Sequence, residues 1–183
     1  TPTFVSVAYG GTGRIMYSTN NGTSWQTINT YDTHQWYSVA YGNGRFVALS
    51  ISNANYGLYS TNGSTWLQSN IINPVRWISV TYGNGLFVAV SDGRTSSTTG
   101  TGGQQLTSHV MTSPDGITWT NRYAPDIGWF SITYGNGLFI AISTDSFGNR
   151  VMTSSDGINW VLRPSANDSV GWRGIAYGNG IFV

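Results

Sequence analysis

The chain has 183 residues, of which 39% are hydrophobic, 14% aromatic and only 8% charged, against about 25% charged in an ordinary soluble protein. Its eight basic residues are all Arg and its seven acidic residues all Asp, for a net charge of +1, and it has no Cys. This excludes nucleic-acid binding by phosphate neutralisation, disulfide staples, thiol chemistry and Cys-ligated metal. The absence of Lys and Glu argues against a helical protein, and the abundance of aromatic and β-branched residues argues against disorder. No apolar run reaches the roughly 20 residues of a membrane-spanning helix, so no membrane insertion is expected. A surface of Ser, Thr, Asn, Gly and Gln suits an extracellular or cell-surface setting. The start at Thr1-Pro2 reads as a processed chain or a fragment.

In chain order, four kinds of strand-like run recur. Phe4-Val-Ser-Val aligns with Phe139-Ile-Ala-Ile, a run of type B. Arg14-Ile-Met-Tyr-Ser18 aligns with Arg150-Val-Met-Thr-Ser154, type C. Ser18-Thr-Asn-Asn-Gly-Thr-Ser-Trp25 is a turn motif whose Trp opens a run of type D. Trp36-Tyr-Ser-Val-Ala-Tyr-Gly-Asn-Gly44 is type A, and its Asn-Gly is the strongest short signal for a hairpin into the next run B. Both motifs return. Run A reappears from Trp77, Trp129 and Trp172, at spacings of 41, 52 and 43. The turn motif reappears as Ser60-Thr-Asn-Gly-Ser-Thr-Trp66, Ser113-Pro-Asp-Gly-Ile-Thr-Trp119 and Ser154-Ser-Asp-Gly-Ile-Asn-Trp160. Together they use all eight Trp of the chain.

A period of about 40–45 residues with four antiparallel strands is the mark of a β-propeller blade. The fold expected is therefore all-β, a four-bladed propeller of four-stranded antiparallel blades. Blade 1 takes residues 1–35 plus 172–183, blade 2 takes 36–76, blade 3 takes 77–128 and blade 4 takes 129–171. The N- and C-terminal strands are expected to pair and close the ring, which removes an exposed sheet edge. One detail conflicts with simple closure, because Thr3-Phe4-Val5 and Ile181-Phe182-Val183 compete for one slot. Either the sequence is a window of a longer tandem protein, or the tail frays, or one end adds a strand to a neighbouring molecule.

The turn motif resembles the Asp-box (BNR-like) repeat, Ser-x-Asp-x-Gly-x-Thr-Trp, of sialidase-type and sortilin-type propellers. Asn20 and Asn62 stand where that family has Asp, and the last three copies are one residue shorter. The resemblance implies a structural turn, with the Asx side chain accepting backbone N–H bonds and the Trp packed inward. Asp115 and Asp156 are accordingly expected to serve folding.

Function is expected on the face that carries the variable loops, 26–35, 67–76, 120–128 and 161–171 between runs D and A, with the insertion 92–109 between runs B and C. Tyr31, Asp32, His34, Tyr56, Arg76, Tyr123, Asp126, Arg163 and Asp168 are the candidate ligand-binding residues there, since aromatic faces beside Asp and Arg suit a neutral sugar. Asp126 and Asp168 could face each other as the two carboxylates a glycosidase needs, though nothing in the sequence singles them out. His109 is expected to be a satisfied surface imidazole. No cofactor and no metal site is implied. Asn21, Asn62 and Asn167 stand in glycosylation sequons. The chain reads as a non-enzymatic extracellular module of a cell-surface or filament structure, adhesive in role. Its expected partners are copies of itself and surface glycans. A soluble propeller lectin is the alternative, and a glycosidase of sialidase-like architecture the less favoured one.

Overall fold

A computed structural model describes residues 3–29, 34–52, 56–72, 75–93, 109–144 and 149–183. Among them there are seventeen strands and no helix. The first sheet holds β1 (Phe4–Val7), β2 (Ile15–Ser18) and β3 (Gln26–Ile28). Three four-stranded antiparallel meanders follow. They are β4 (Trp36–Gly42), β5 (Arg45–Ser50), β6 (Gly57–Ser60) and β7 (Leu67–Gln68), then β8 (Trp77–Gly83), β9 (Leu86–Ser91), β10 (Val110–Ser113) and β11 (Thr120–Arg122), then β12 (Trp129–Gly135), β13 (Leu138–Ser143), β14 (Val151–Ser154) and β15 (Val161–Arg163). A two-stranded sheet of β16 (Tyr177–Gly178) and β17 (Ile181–Phe182) comes last.

The registers follow the repeat. Phe4 lies opposite Ser18, Phe46 opposite Ser60, Phe87 opposite Ser113 and Phe139 opposite Ser154. β1 is thus a run B and β2 a run C, as the alignment indicates. Each A–B hairpin turns on Asn-Gly. Asn43, Asn84, Asn136 and Asn179 have φ of 46–49° and the glycines after them 72–81°, the two positive values that a type I′ turn requires.

The sheets stack through their run A strands, β4 against β8, β8 against β12 and β12 against β16. At each junction a Tyr of one sheet lies flat on the bare Cα of a Gly in the sheet before it. Tyr82 covers Gly42, Tyr134 covers Gly83 and Tyr177 covers Gly135, so closely that a Cβ there would lie 2.0–2.1 Å from the ring. The core fills the spaces between sheets. Trp77, Val80, Phe87, Met111 and Trp119 pack against Val47 and Leu49 of the preceding sheet. One junction further on, Trp129, Phe139 and Met152 pack in the same way against Val88, Val90 and Val110.

The expected ring closure is not formed. β1–β2–β3 and β16–β17 are separate sheets at opposite ends of the stack, the first against β4 and the second against β12. Blade 1 as expected, 1–35 joined to 172–183, is therefore not assembled. The physical reason is the competition already visible in the sequence: β17 occupies the run B slot beside β16, the slot β1 would need.

Candidate functional site

The four turn motifs are tied up in their own hydrogen bonds. Ser60, Ser113 and Ser154 each accept the N–H of the motif Gly at 2.8 Å and donate to the Asx side chain at 2.9–3.1 Å. Asp115 Oδ1 accepts the N–H of Ile117 and Thr118, Asp156 Oδ1 those of Ile158 and Asn159, and Asn62 Oδ1 those of Ser64 and Thr65. Burial pushes the Asp115 carboxyl up, but these N–H donors, the Ser113 hydroxyl and Arg45 outweigh it and hold it low. The N–H of Asn159 leads in holding Asp156 far below the usual carboxylate range. Such depressed groups stabilise the fold above the unfolded value of about 3.9 and lose that contribution as pH falls through the folded value. The double variant Asp115→Asn/Asp156→Asn keeps the Oδ1 bonds, as Asn62 does, and loses the acceptor that Asp156 Oδ2 offers to Asn159 Nδ2. It is expected to lie within about 1–2 kcal/mol of the parent at pH 7 and to lose less stability than the parent below about pH 4. Urea midpoints at the two pH values read this.

Among the described residues, the expected ligand residues are engaged with different partners, His34 and Tyr56 with each other. Tyr31 and Asp32 lie outside the described residues. His34 stacks on Tyr56 with ring centroids 3.8 Å apart, and Arg14 Nη1 donates to the His34 carbonyl at 2.7 Å. Burial and then Arg14 lower the imidazole pKa. Arg76 pairs with Asp92 at 3.5 Å. Arg163 Nε donates to Thr153 Oγ1 at 3.1 Å, Tyr123 is exposed, and Asp168 accepts from Ser165 in its own loop. Asn21, Asn62 and Asn167 are all exposed.

His109 is not on the surface. It is fully buried, with Nε2 2.8 Å from Asp126 Oδ1. Its position, immediately before run C, is used alike in other sheets. Arg14 reaches the carbonyl of His34 and Arg150 that of Val170, each clasping the loop that leads into run A. His109–Asp126 is the third such clasp, which separates Asp126 in role from Asp168.

A different cluster does assemble. In β4, β8 and β12 the register slips after the leading Trp, so Tyr37, Ile78 and Phe130 are bulge residues with no partner on the neighbouring strand. A bulge re-aims its side chain, and here the repeat aims several toward one another. The Tyr37 ring meets the edge of Phe130 at 6.3 Å across the intervening sheet. Arg173, the residue at the same offset after Trp172, places its guanidinium 5.3 Å above the Phe130 ring. Tyr37 and Arg173 are exposed and Ile78 is buried. The cluster lies at the start of the run A strands, on the same side as the variable loops. It presents aromatic surface beside a cation, a combination that stacks on apolar ring faces and donates to oxygen. One signal marked it in the sequence: the second residue is the most varied place of the run A motif, reading Tyr, Ile, Phe and Arg.

No protein-family model and no curated protein matches the chain. Solved structures do. Virginiamycin B lyase from Staphylococcus aureus superposes at a TM-score of 0.69 and 14% identity over 95% of this chain and 59% of its own. A structure of YCF48 bound to D1 peptide gives 0.63 and 12%, over 97% of this chain and 60% of its own. YCF48 from Cyanidioschyzon merolae gives 0.58 and 15%, over 96% and 60%. This chain therefore spans about three fifths of the length of these structures. At such identities the likeness speaks to fold alone. Together with the all-β stack of antiparallel meanders, it makes this chain a β-propeller module.

Proposed function

We propose that the chain is a non-enzymatic, extracellular β-propeller module of a cell-surface or filament structure, of the Asp-box repeat type, and that it is adhesive. It holds surface glycans at the Tyr37–Phe130–Arg173 cluster. The observation that carries this is the repeated bulge, which brings an exposed Tyr, an aromatic ring and a guanidinium together beside the variable loops. A sugar offers CH groups to the rings and hydroxyl oxygens to the Arg173 donors.

Among the described residues, the engagement of the five carboxylates favours binding over hydrolysis. A glycosidase needs two carboxyl groups roughly 5–9.5 Å apart around the scissile bond. Asp115 and Asp156 serve turns, Asp92 holds Arg76, Asp126 holds His109 and Asp168 binds Ser165. Glycan-array binding of the parent, Phe130→Ala and Arg173→Ala tests the reading. Each variant is expected to weaken binding about tenfold through the lost ring or cation contact. Equal binding by all three contradicts the site. Glycoside turnover that disappears in Asp126→Asn contradicts the non-enzymatic reading.

A further inference from the structure

The second turn motif differs from the other three in one chemical respect: its Asx residue is an amide, Asn62, followed directly by Gly63. In the first motif Asn20 is followed by Asn21, and in the third and fourth the residue before Gly is Asp115 or Asp156. An Asn-Gly pair is the sequence most open to attack of a backbone nitrogen on the preceding side-chain amide, because Gly carries no side chain to obstruct it. Here the pair sits inside a ring of hydrogen bonds. Asn62 Oδ1 accepts the N–H of Ser64 at 3.0 Å, that of Thr65 at 2.9 Å and the Ser60 hydroxyl at 3.1 Å. Three donors on one carbonyl oxygen are the arrangement that stabilises negative charge as it develops there. The N–H of Gly63, on the attacking nitrogen, donates to Ser60 Oγ at 2.8 Å. Ser60 thus stands between the proton that must leave and the oxygen that must receive one. Gly63 is buried against Thr3 and Val5, whereas Asn62 is exposed, so water reaches the amide carbon and a small leaving group escapes.

The chain has six Asn-Gly pairs, and the hairpin pairs are held the other way round. Asn43 Nδ2 donates to the Pro114 carbonyl at 3.1 Å and Asn84 Nδ2 to that of Ser155 at 3.2 Å. There the bonds tie down the nitrogen that would depart, and at Asn62 they activate the carbonyl.

We propose that Asn62 is a self-modifying site, converted by its own turn from an amide to an aspartate. Gly63 N bonds to Cγ of Asn62 and passes its proton to Ser60 Oγ, while Ser60 gives its own proton to Oδ1. The tetrahedral centre then collapses, the Cγ–Nδ2 bond breaks, and the nitrogen leaves as ammonia with the proton from Oδ1. Water opens the resulting succinimide, adding hydroxyl to Cγ and a proton to Gly63 N. The product already stands in the third and fourth motifs, where Asp115 and Asp156 hold the same two N–H groups and the same Ser hydroxyl. Conversion makes those bonds charge-assisted and stronger. The turn therefore favours aspartate over isoaspartate, whose extra backbone carbon does not fit it. Conversion takes the net charge of the chain from +1 to zero and erases the sequon at Asn62. It is independent of the glycan cluster.

Peptide mapping by mass spectrometry during incubation near neutral pH tests it, on the folded chain and on the chain unfolded in guanidinium chloride. In the unfolded chain the Asn-Gly pairs are expected to convert at similar rates. In the folded chain Asn62 is expected to convert at least about tenfold faster than Asn43 or Asn84, with aspartate as the main product. Ser60→Ala removes the relay and one donor, and is expected to slow Asn62 by about tenfold or more. If that variant does not fold, the parent's ratio of Asn62 to Asn43 conversion, folded against unfolded, decides the matter by itself. An Asn62 that outlasts Asn43 and Asn84 in the folded chain overturns the proposal. So does a folded Ser60→Ala that converts as fast as the parent, or isoaspartate as the main product of the folded chain.

Discussion

Trp77→Ala is expected to cost about 3–5 kcal/mol, the range for removing a buried large side chain, and to lower the melting temperature by roughly 6–20 °C. The indole is fully buried between two sheets, and its Nε1 has no hydrogen-bond partner among the described residues, so what it contributes is packing. The same residue type in the same motif behaves differently at the end of the stack. Trp172 is 37% exposed, beside a sheet of two strands. Trp172→Ala is therefore expected to cost about 1–2 kcal/mol. Chemical denaturation of the two variants at low protein concentration checks both values. Equal losses would mean that Trp172 is covered as Trp77 is, and would contradict the open end.

Gly83→Ala is the second large effect, and it arises from one added methyl group. Its Cβ would stand 2.1, 2.3 and 2.5 Å from three atoms of the Tyr134 ring. The ring is pinned against Phe139, with centroids 4.6 Å apart, so it cannot turn aside. The sheets must separate there, and the expected loss is about 3 kcal/mol or more, at the upper end for overpacking. Gly178→Ala supplies the control at the matching position of the last sheet, where the expected change is within about 0.5 kcal/mol. A mild Gly83→Ala would show that the Tyr-on-Gly contact is loose and would remove the argument that it sets the spacing between sheets.

Much of the fold was legible because the chain writes the same instruction several times. One Asn-Gly is a suggestion, but Asn43-Gly44, Asn84-Gly85, Asn136-Gly137 and Asn179-Gly180 in a constant setting give strand, turn and register together. The alignment of Phe4 with Phe139 predicted the pairing Phe4–Ser18 that the structure holds. Closure was not legible. Phe4-Val5 and Phe182-Val183 are the same dipeptide, and nothing local decides which one occupies the slot beside β16. The candidate site was legible only as a face. His34 and Tyr56 meet, but Arg76, Asp126 and Arg163 are engaged close to home by groups that the sequence does not place beside them. The expectation for His109 failed because its burial comes from the clasp to Asp126, a contact across 17 positions. Tyr37 and Phe130 were overlooked because a bulge is a property of the backbone, and alternation alone assigns a bulge residue to the wrong face.

Hydrogen exchange resolved by strand, at low protein concentration, reaches the central claim most directly, because it reads each junction separately. The three four-stranded sheets are expected to exchange slowly as one cooperative block, with β8 and β9 at their centre the slowest, and β16–β17 to exchange orders of magnitude faster. Protection of Tyr177 and Gly178 equal to that of Tyr82 and Gly83 in a monomeric sample would mean that the ends of the stack are joined, and would contradict an open array of repeated junctions.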